Sequence, residues 1–217
     1  MNLVLASASP RRSELLTQAG YSFTVHPAHI PEDPLPNEDP IAYVVRLARQ
    51  KAETVFAELT SSSSRAADAT QSRVCSEKSN RPEVAAPQVL GADTTVTIDN
   101  QILGKPQNPA DAARMLRLLS GRTHRVITGV ALVTAHHTET AAEVTGVRFL
   151  TLFNEEIADY IATGEPMDKA GAYAIQSRAA RWIPRITGDY FNVVGLPIAL
   201  VSTMLESVGI DSTSLSS

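Results

Sequence analysis

The apolar residues Ile41, Val44, Val45, Ala48, Ala52, Val55, Phe56 and Leu59 recur at helical spacing, which commits this segment to one helix with a single face to be covered. Asp39 and Pro40 mark its start, and Lys51 falls at the edge of the stripe. Around it lie apolar runs too short for helices. Val4-Leu5-Ala6 reads as a buried strand, followed by a helix that Ser9 caps, Pro10 opens and Gly20 ends. Val89-Leu90-Gly91-Ala92-Asp93 reads as a second buried strand that ends on a carboxylate, with Thr94 to Ile98 and a turn at Asp99-Asn100 behind it. A return strand leads to Gly104-Lys105-Pro106. Asn108, Pro109 and Asp111 then start a third helix that carries Met115, Leu118 and Leu119 and stops at Gly121. Strands are predicted at 123–134 and 142–152, and a short helix from Asn154 to near Gly164. Beyond a Gly/Ala-rich stretch at 168–176, the sequence predicts a hairpin around Gly188 and a last helix between Pro197 and Gly209. Hairpins mixed with helices predict an α/β fold whose sheet is mixed rather than purely parallel.

Residues 61–88 depart from this pattern. They hold seven Ser and two Pro but no Leu, Ile, Phe, Tyr or Trp, too little apolar surface to offset the entropy of ordering. A disordered insertion or long surface loop is expected there. The remainder of 1–210 is expected to be a single domain, with 211–217 a flexible tail. Lys and Arg total 19 against 23 Asp and Glu, so the net charge of -4 offers no chain-wide attraction for nucleic acid or an anionic membrane. Any polyanion must be met by local basic residues. No apolar run approaches the roughly 20 residues that span a bilayer. The N-terminus has no basic leader, and a cytoplasmic location is expected. The single cysteine, Cys75, excludes an internal disulfide framework and a multi-Cys zinc site.

Four groups of residues could carry chemistry. Ser7-Ala8-Ser9-Pro10-Arg11-Arg12 opens a helix, where unpaired N–H groups and the positive dipole end favour an anion. Arg11 and Arg12 there cost a few tenths to about 1 kcal/mol unless an anion neutralises them, and bidentate phosphate contacts are the natural remedy. A solvated Arg pair is the plain alternative. Asp93, at the end of an apolar strand, is placed like a general base or metal ligand, although a lone Asp is more often a turn residue. Glu32, in a Pro-rich loop, is a candidate companion, and two hard oxygen ligands with substrate phosphates would suit Mg²⁺. Lys51 and Lys105 could neutralise charge on a transferred phosphoryl group, though most lysines simply reach water. Finally, Asp168-Lys169-Ala170-Gly171-Ala172-Tyr173-Ala174-Ile175-Gln176 has small residues that allow close backbone approach, and the Gln176 amide could read a base edge. Phosphate-binding Gly-rich loops and dinucleotide fingerprints are absent from the sequence.

In order along the chain, these blocks resemble one family, the Maf nucleotide pyrophosphatases. The resemblance rests on Leu5-Ala6-Ser7-Ala8-Ser9-Pro10-Arg11-Arg12, Arg46-Leu47-Ala48-Arg49-Gln50-Lys51-Ala52, Gly91-Ala92-Asp93-Thr94, Gly104-Lys105-Pro106, Leu119-Ser120-Gly121-Arg122-Thr123-His124, Asp168-Lys169-Ala170-Gly171-Ala172-Tyr173 and Val193-Val194-Gly195-Leu196-Pro197. It implies an elongated mixed sheet with flanking helices, two lobes around a cleft, related to the inosine-triphosphatase type. It also implies a divalent cation (Mg, Mn or Co) and hydrolysis of a nucleoside triphosphate between the α and β phosphates. Asp93 maps onto the family's catalytic base, Lys51 and Lys105 onto catalytic lysines, Ser7 and Arg12 onto the phosphate site, and Glu32 with Asp93 onto the metal. Arg11, Thr94 and Gln176 match the dTTP/UTP-specific branch, whereas the branch acting on methylated guanine nucleotides carries Trp, Gln and Glu at those places. A non-catalytic nucleotide-sensing regulator of division and a purine-type pyrophosphatase are the alternatives. A homodimer is compatible with everything in the sequence.

Overall fold

β1 (Leu3–Leu5) consists of three buried residues that pair with two neighbours at once, parallel to β2 (Thr24–Val25) and to β3 (Gln88–Ile98). In this computed structural model residues 2–71 and 86–210 are described, with 63–71 described by backbone alone. A parallel pair needs a crossover, and α1 (Pro10–Gln18) with α2 (Pro40–Gln71) supplies it between β1 and β3. From β3 onward the pairing is antiparallel: with β4 (Gln101–Leu103), with β5 (Thr123–Val133), then β5 with β6 (Thr138–Arg148) and β6 with β7 (Arg185–Thr187). The result is one seven-stranded mixed sheet of order β2-β1-β3-β5-β6-β7, with β4 beside β3. The mixed α/β class read from the sequence is the observed one.

α2 lies flat on β3 and β5, with Val44, Leu47, Ala48, Ala52 and Val55 wholly buried. Two glycines permit this approach. A Cβ on Gly91 would fall within the envelope of the Ala48 carbonyl oxygen and 3.0 Å from the Ala52 Cβ, and one on Gly129 would strike the Val44 carbonyl. The other elements form two larger cores. One gathers α3 (Pro109–Leu119) and α4 (Asn154–Ala162) around Phe149 and Trp182; the other gathers α1 and α6 (Ile198–Ser207) around Leu5, Leu90 and Leu132. A cavity lies between them, lined by residues drawn from both sides.

Several sequence expectations change. The helix predicted from Pro40 continues to Gln71, so residues 61–71 of the expected disordered stretch are helical. The Ser61 and Ser62 hydroxyls donate to the Glu58 carbonyl 3.0 and 2.8 Å away, so these serines satisfy the helix rather than end it. The expectations for 72–85 and for the tail at 211–217 lie outside the described residues. Ile41 is 39% exposed, while Tyr43 and Leu47 take the buried face. β6 begins at Thr138 rather than 142, because Thr134-Ala135-His136-His137 makes the turn: the Thr134 N–H donates to the His137 carbonyl (2.8 Å), a turn with no Gly or Pro to announce it. No hairpin forms at Gly188. Asp189 accepts from the Phe191 N–H (2.7 Å) and so caps α5 (Tyr190–Val194). Asn108 caps α3 as expected, whereas Ser9 makes no side-chain cap bond.

Candidate active site

Asp93 sits in the middle of β3 and not at its end, because β3 and β5 pair without interruption from Val89↔Val133 to Thr97↔Arg125. Successive residues of a strand face opposite sides. Asp93 therefore faces α2, while Thr94 faces the start of α1 and the end of α5. On the α2 side the Lys51 ammonium lies between two carboxylates, 2.7 Å from Asp93 Oδ1 and 2.6 Å from Glu32 Oε1. Lys51 is not an edge residue here. Only 9% of its side chain and 11% of that of Asp93 is exposed, against 49% for Glu32.

On the other side, the Arg12 guanidinium is buried and donates to four protein acceptors: Gly195 O (2.8 Å), Ser7 Oγ (3.0 Å), Ala92 O (2.9 Å) and Thr94 Oγ1 (2.9 Å). A buried guanidinium must satisfy its five N–H groups, and these bonds leave it no free fork. The bidentate phosphate contact expected of the arginines is therefore not prepared at Arg12, whose donors are spent on the protein and whose charge lies within range of Asp93. Arg11 is half-buried and donates through Nε to the Val194 carbonyl (3.3 Å). The Thr94 hydroxyl also meets Thr128 Oγ1 at 2.9 Å, and Thr128 in turn donates to the Asn192 carbonyl (3.1 Å). Asn192 is fully buried and donates to Val126 O and Thr145 Oγ1 (3.0 and 2.9 Å), which fixes the chain just before Val194 and Gly195.

The charges have consequences. Burial raises the pKa of Asp93, and the attraction of Lys51 and Arg12 does not fully offset it. Burial acts on Glu32 in the same sense but is outweighed by the Lys51 hydrogen bond and charge, helped by Lys105 and Arg12, so Glu32 is held below the usual carboxylate range. Burial also lowers the pKa of Arg12, against the pull of Asp93. Two carboxylates within reach of one another are thereby pushed in opposite directions.

All nine residues singled out in the sequence line one cavity of about 840 Å³: Ser7, Arg11, Arg12, Glu32, Lys51, Asp93, Thr94, Lys105 and Gln176. Lys105 and Gln176 are exposed on its wall. The turns that carry them are tied together: Gly171 N–H donates to the Gly104 carbonyl (3.1 Å), and Gly171, at φ +68°, has no room for a Cβ against Val96. Asp168 and Lys169 form an ion pair on the same wall. The sequence reading missed Tyr43, which lines the cavity and donates to the Glu32 carbonyl (2.8 Å). Burial, with Asp93 and Glu32 nearby, pushes its phenol up to about 12. Tyr43, Leu47 and Lys51 are spaced four residues apart on α2, which is the signal that could have found it. Thr128 and Asn192 gave no local signal.

Glu32 and Asp93 already share one cation, Lys51, and as hard oxygen donors they fit a divalent ion that would share them likewise. Among the described residues no group of three or more His, Cys, Asp or Glu could hold a metal, so such an ion would need further oxygens beyond these two carboxylates.

Fold and site together define a mixed α/β protein whose cavity is lined by five acidic and six cationic side chains, with Arg11, Arg12, Lys51 and Lys105 grouped around Glu32 and Asp93. The chain belongs to the Maf family, described as Maf-like protein, which matches residues 2–208. A dTTP/UTP pyrophosphatase of Koribacter versatilis (strain Ellin345) is 49% identical over 210 residues, covering 97% of this chain and 96% of the relative. A dTTP/UTP pyrophosphatase of Bacillus pumilus (strain SAFR-032) is 44% identical over 96% of this chain and 97% of its own length. One from Moorella thermoacetica (strain ATCC 39073 / JCM 9320) is 46% identical over 96% of both. Among the described residues no helix is long and apolar enough to cross a membrane.

Proposed function

We propose that the chain is a nucleoside triphosphate pyrophosphatase, hydrolysing dTTP and UTP to the monophosphate and pyrophosphate in the cytoplasm. The observation that carries this reading is Lys51 held between Glu32 and Asp93, in a cavity also lined by Arg11, Arg12 and Lys105. The relatives' names supply the substrate.

A triphosphate enters against Arg11, Lys105 and the N–H groups that open α1, which neutralise its charge and fix its line of approach. Asp93 is the base: its raised pKa strengthens its hold on a proton taken from water. The water oxygen bonds to the α phosphorus, the bond from that phosphorus to the bridging oxygen breaks, and pyrophosphate leaves with the electron pair. Lys51 and Arg12 stabilise the charge that develops, and little else is needed where positioning and electrostatics dominate. A divalent cation, Mg²⁺, Mn²⁺ or Co²⁺, would be held by Glu32 and Asp93 and would supply further neutralisation of phosphate charge. The Gln176 amide, donor and acceptor in one group, suits the paired carbonyl and N–H edge of thymine or uracil.

A nucleotide panel with phosphate and pyrophosphate both measured tests the reading. Pyrophosphate should be the product, and dTTP and UTP should exceed dATP, dGTP and 7-methyl-GTP in kcat/KM by about 10²-fold, the scale of a site that pairs polar edges. Gln176→Glu should erode that ranking, whereas Lys105→Ala should slow every substrate alike. Release of phosphate, or 7-methyl-GTP as the best substrate, would overturn it.

A further inference from the structure

Glu32 reaches Lys51 on the cavity wall from a segment with no helix or strand of its own, residues 26–39 between β2 and α2. Residues 31–37 are all exposed, and the segment's one large aliphatic residue there, Leu35, is 56% exposed. Ile30 anchors the approach by packing on Tyr43, Val44, Leu47 and Ile127, but beyond it apolar burial gives out, and polar contacts hold residues 31–38. These converge on one side chain. Arg46 of α2 grips Glu38 with a two-pronged bond, Nε to Oε1 at 2.6 Å and Nη2 to Oε2 at 2.7 Å. Nη2 also donates to the Asp33 carbonyl at 3.2 Å, next to Glu32. Glu38 in turn accepts from the Leu35 N–H at 2.9 Å, closing the turn between the two anchor points. The Arg46 guanidinium also lies over the Tyr43 ring, 5.7 Å from its centroid, and the Tyr43 hydroxyl holds the Glu32 carbonyl. The Arg46 and Glu38 side chains are 24% and 9% exposed, so this pair is shielded beyond an ordinary surface bridge.

We propose that Arg46 is a positioning residue: through Glu38, the Asp33 carbonyl and Tyr43 it fixes the backbone of Glu32, and with it the carboxylate that meets Lys51. It does not touch the substrate. The proposal rests on the reading of Glu32 as a carboxylate on the metal and phosphate side of the site. Guanidinium geometry is the point, because only a planar fork can grip a carboxylate at two points and a neighbouring carbonyl together. An ammonium at the same place keeps the charge and loses the clamp.

The test measures Mn²⁺ binding by electron paramagnetic resonance in the presence of α,β-imido-dUTP, beside the Mn²⁺ concentration for half-maximal turnover of dTTP. Glu32→Gln should weaken both. Arg46→Ala and Arg46→Lys should weaken both by roughly 10- to 100-fold, the range seen when groups that orient metal ligands are removed. A purely structural or bulk-charge role would instead let Arg46→Lys restore the parental values. Arg46→Ala added to Glu32→Gln should cost little more than Glu32→Gln alone, since both act through one carboxylate. Tyr43→Phe, which removes only the hydroxyl, carries the same test should Arg46→Ala not fold. Parental Mn²⁺ binding in the Arg46 or Tyr43 variants, with Glu32→Gln impaired, overturns the positioning role alone. Parental binding in Glu32→Gln itself overturns the reading of Glu32 and the positioning role with it.

Discussion

Asp93→Asn keeps the volume of the side chain and removes its charge and basicity. The expected loss in kcat is roughly 10²- to 10⁴-fold, the usual contribution of a positioned general base. Stability should move the other way. Burial outweighs the attraction of Lys51 and Arg12 and leaves the Asp93 pKa raised above its ordinary 3.8. A carboxyl whose folded pKa exceeds its unfolded one binds its proton more tightly in the native state. Stability then falls as pH rises from 3.8 through the folded value and is level above it. At neutral pH the ionised Asp93 is a net cost to folding. Removing one member of a buried pair normally costs about 3–5 kcal/mol by stranding its partner. Lys51 is not stranded here, because Glu32 remains 2.6 Å away. The variant should melt no lower than the parent, and each 1 kcal/mol of relief should raise Tm by about 2–4 °C at this chain length. Pyrophosphate release under saturating dTTP and a circular-dichroism melt measure the two quantities. A kcat within tenfold of the parent would refute the base. A fall in Tm beyond about 5 °C would refute the claim that the ionised carboxylate is a burden.

Thr94→Val should cost about 1–3 kcal/mol, because it strands an Arg12 N–H in the interior and leaves the Thr128 hydroxyl only its bond to the Asn192 carbonyl, and Thr94→Ser should restore the parental melt. A silent valine in thermal unfolding would show that Arg12 does not depend on this hydroxyl. His124 is buried against Phe149 and Tyr173, and burial pushes its pKa down from 6.5 to about 3. The unfolded chain therefore takes up a proton that the folded one refuses, and stability falls as pH drops below 6.5. His124→Gln should flatten that acid limb by up to about 1.4 kcal/mol per pH unit in urea titrations, and an unchanged slope would contradict a neutral buried imidazole.

The helices were legible because their signals are local: Asn108-Pro109 for α3, and the stripe of α2 between Val44 and Val55. The Thr134–His137 turn and the α5 cap were not, because the first lacks turn residues and the second replaces an expected strand by a five-residue helix. At the site, residue chemistry alone left Glu32 indistinguishable from a surface acid. Only the ordered blocks shared with a family, and then the convergence on Lys51, gave it a place. Thr128 and Asn192 escaped because their partners lie far along the chain: the Thr128 hydroxyl meets a carbonyl 64 residues away. Such contacts exist only once β5 and α5 are packed. Arg12 was legible as a residue but its four protein acceptors were not, since burial, which decides how a guanidinium spends its donors, is not written in the neighbouring residues.

Gly91 and Gly129 make the gap between α2 and the sheet a fixed gauge. Gly91 stands two residues before Asp93 on the same face of β3, and Gly129 is the cross-strand partner of Asp93. Lys51 rides on the helix and Asp93 on the sheet, so the 2.7 Å between their charged groups is set by two side chains that are missing. At both glycines the obstacle to a methyl group is the main chain of α2, the carbonyls of Ala48 and Val44. Trimming a neighbour cannot move a peptide group. No side-chain change among the described residues can therefore compensate at these two positions, and any added atom there must lift Lys51 away from Asp93.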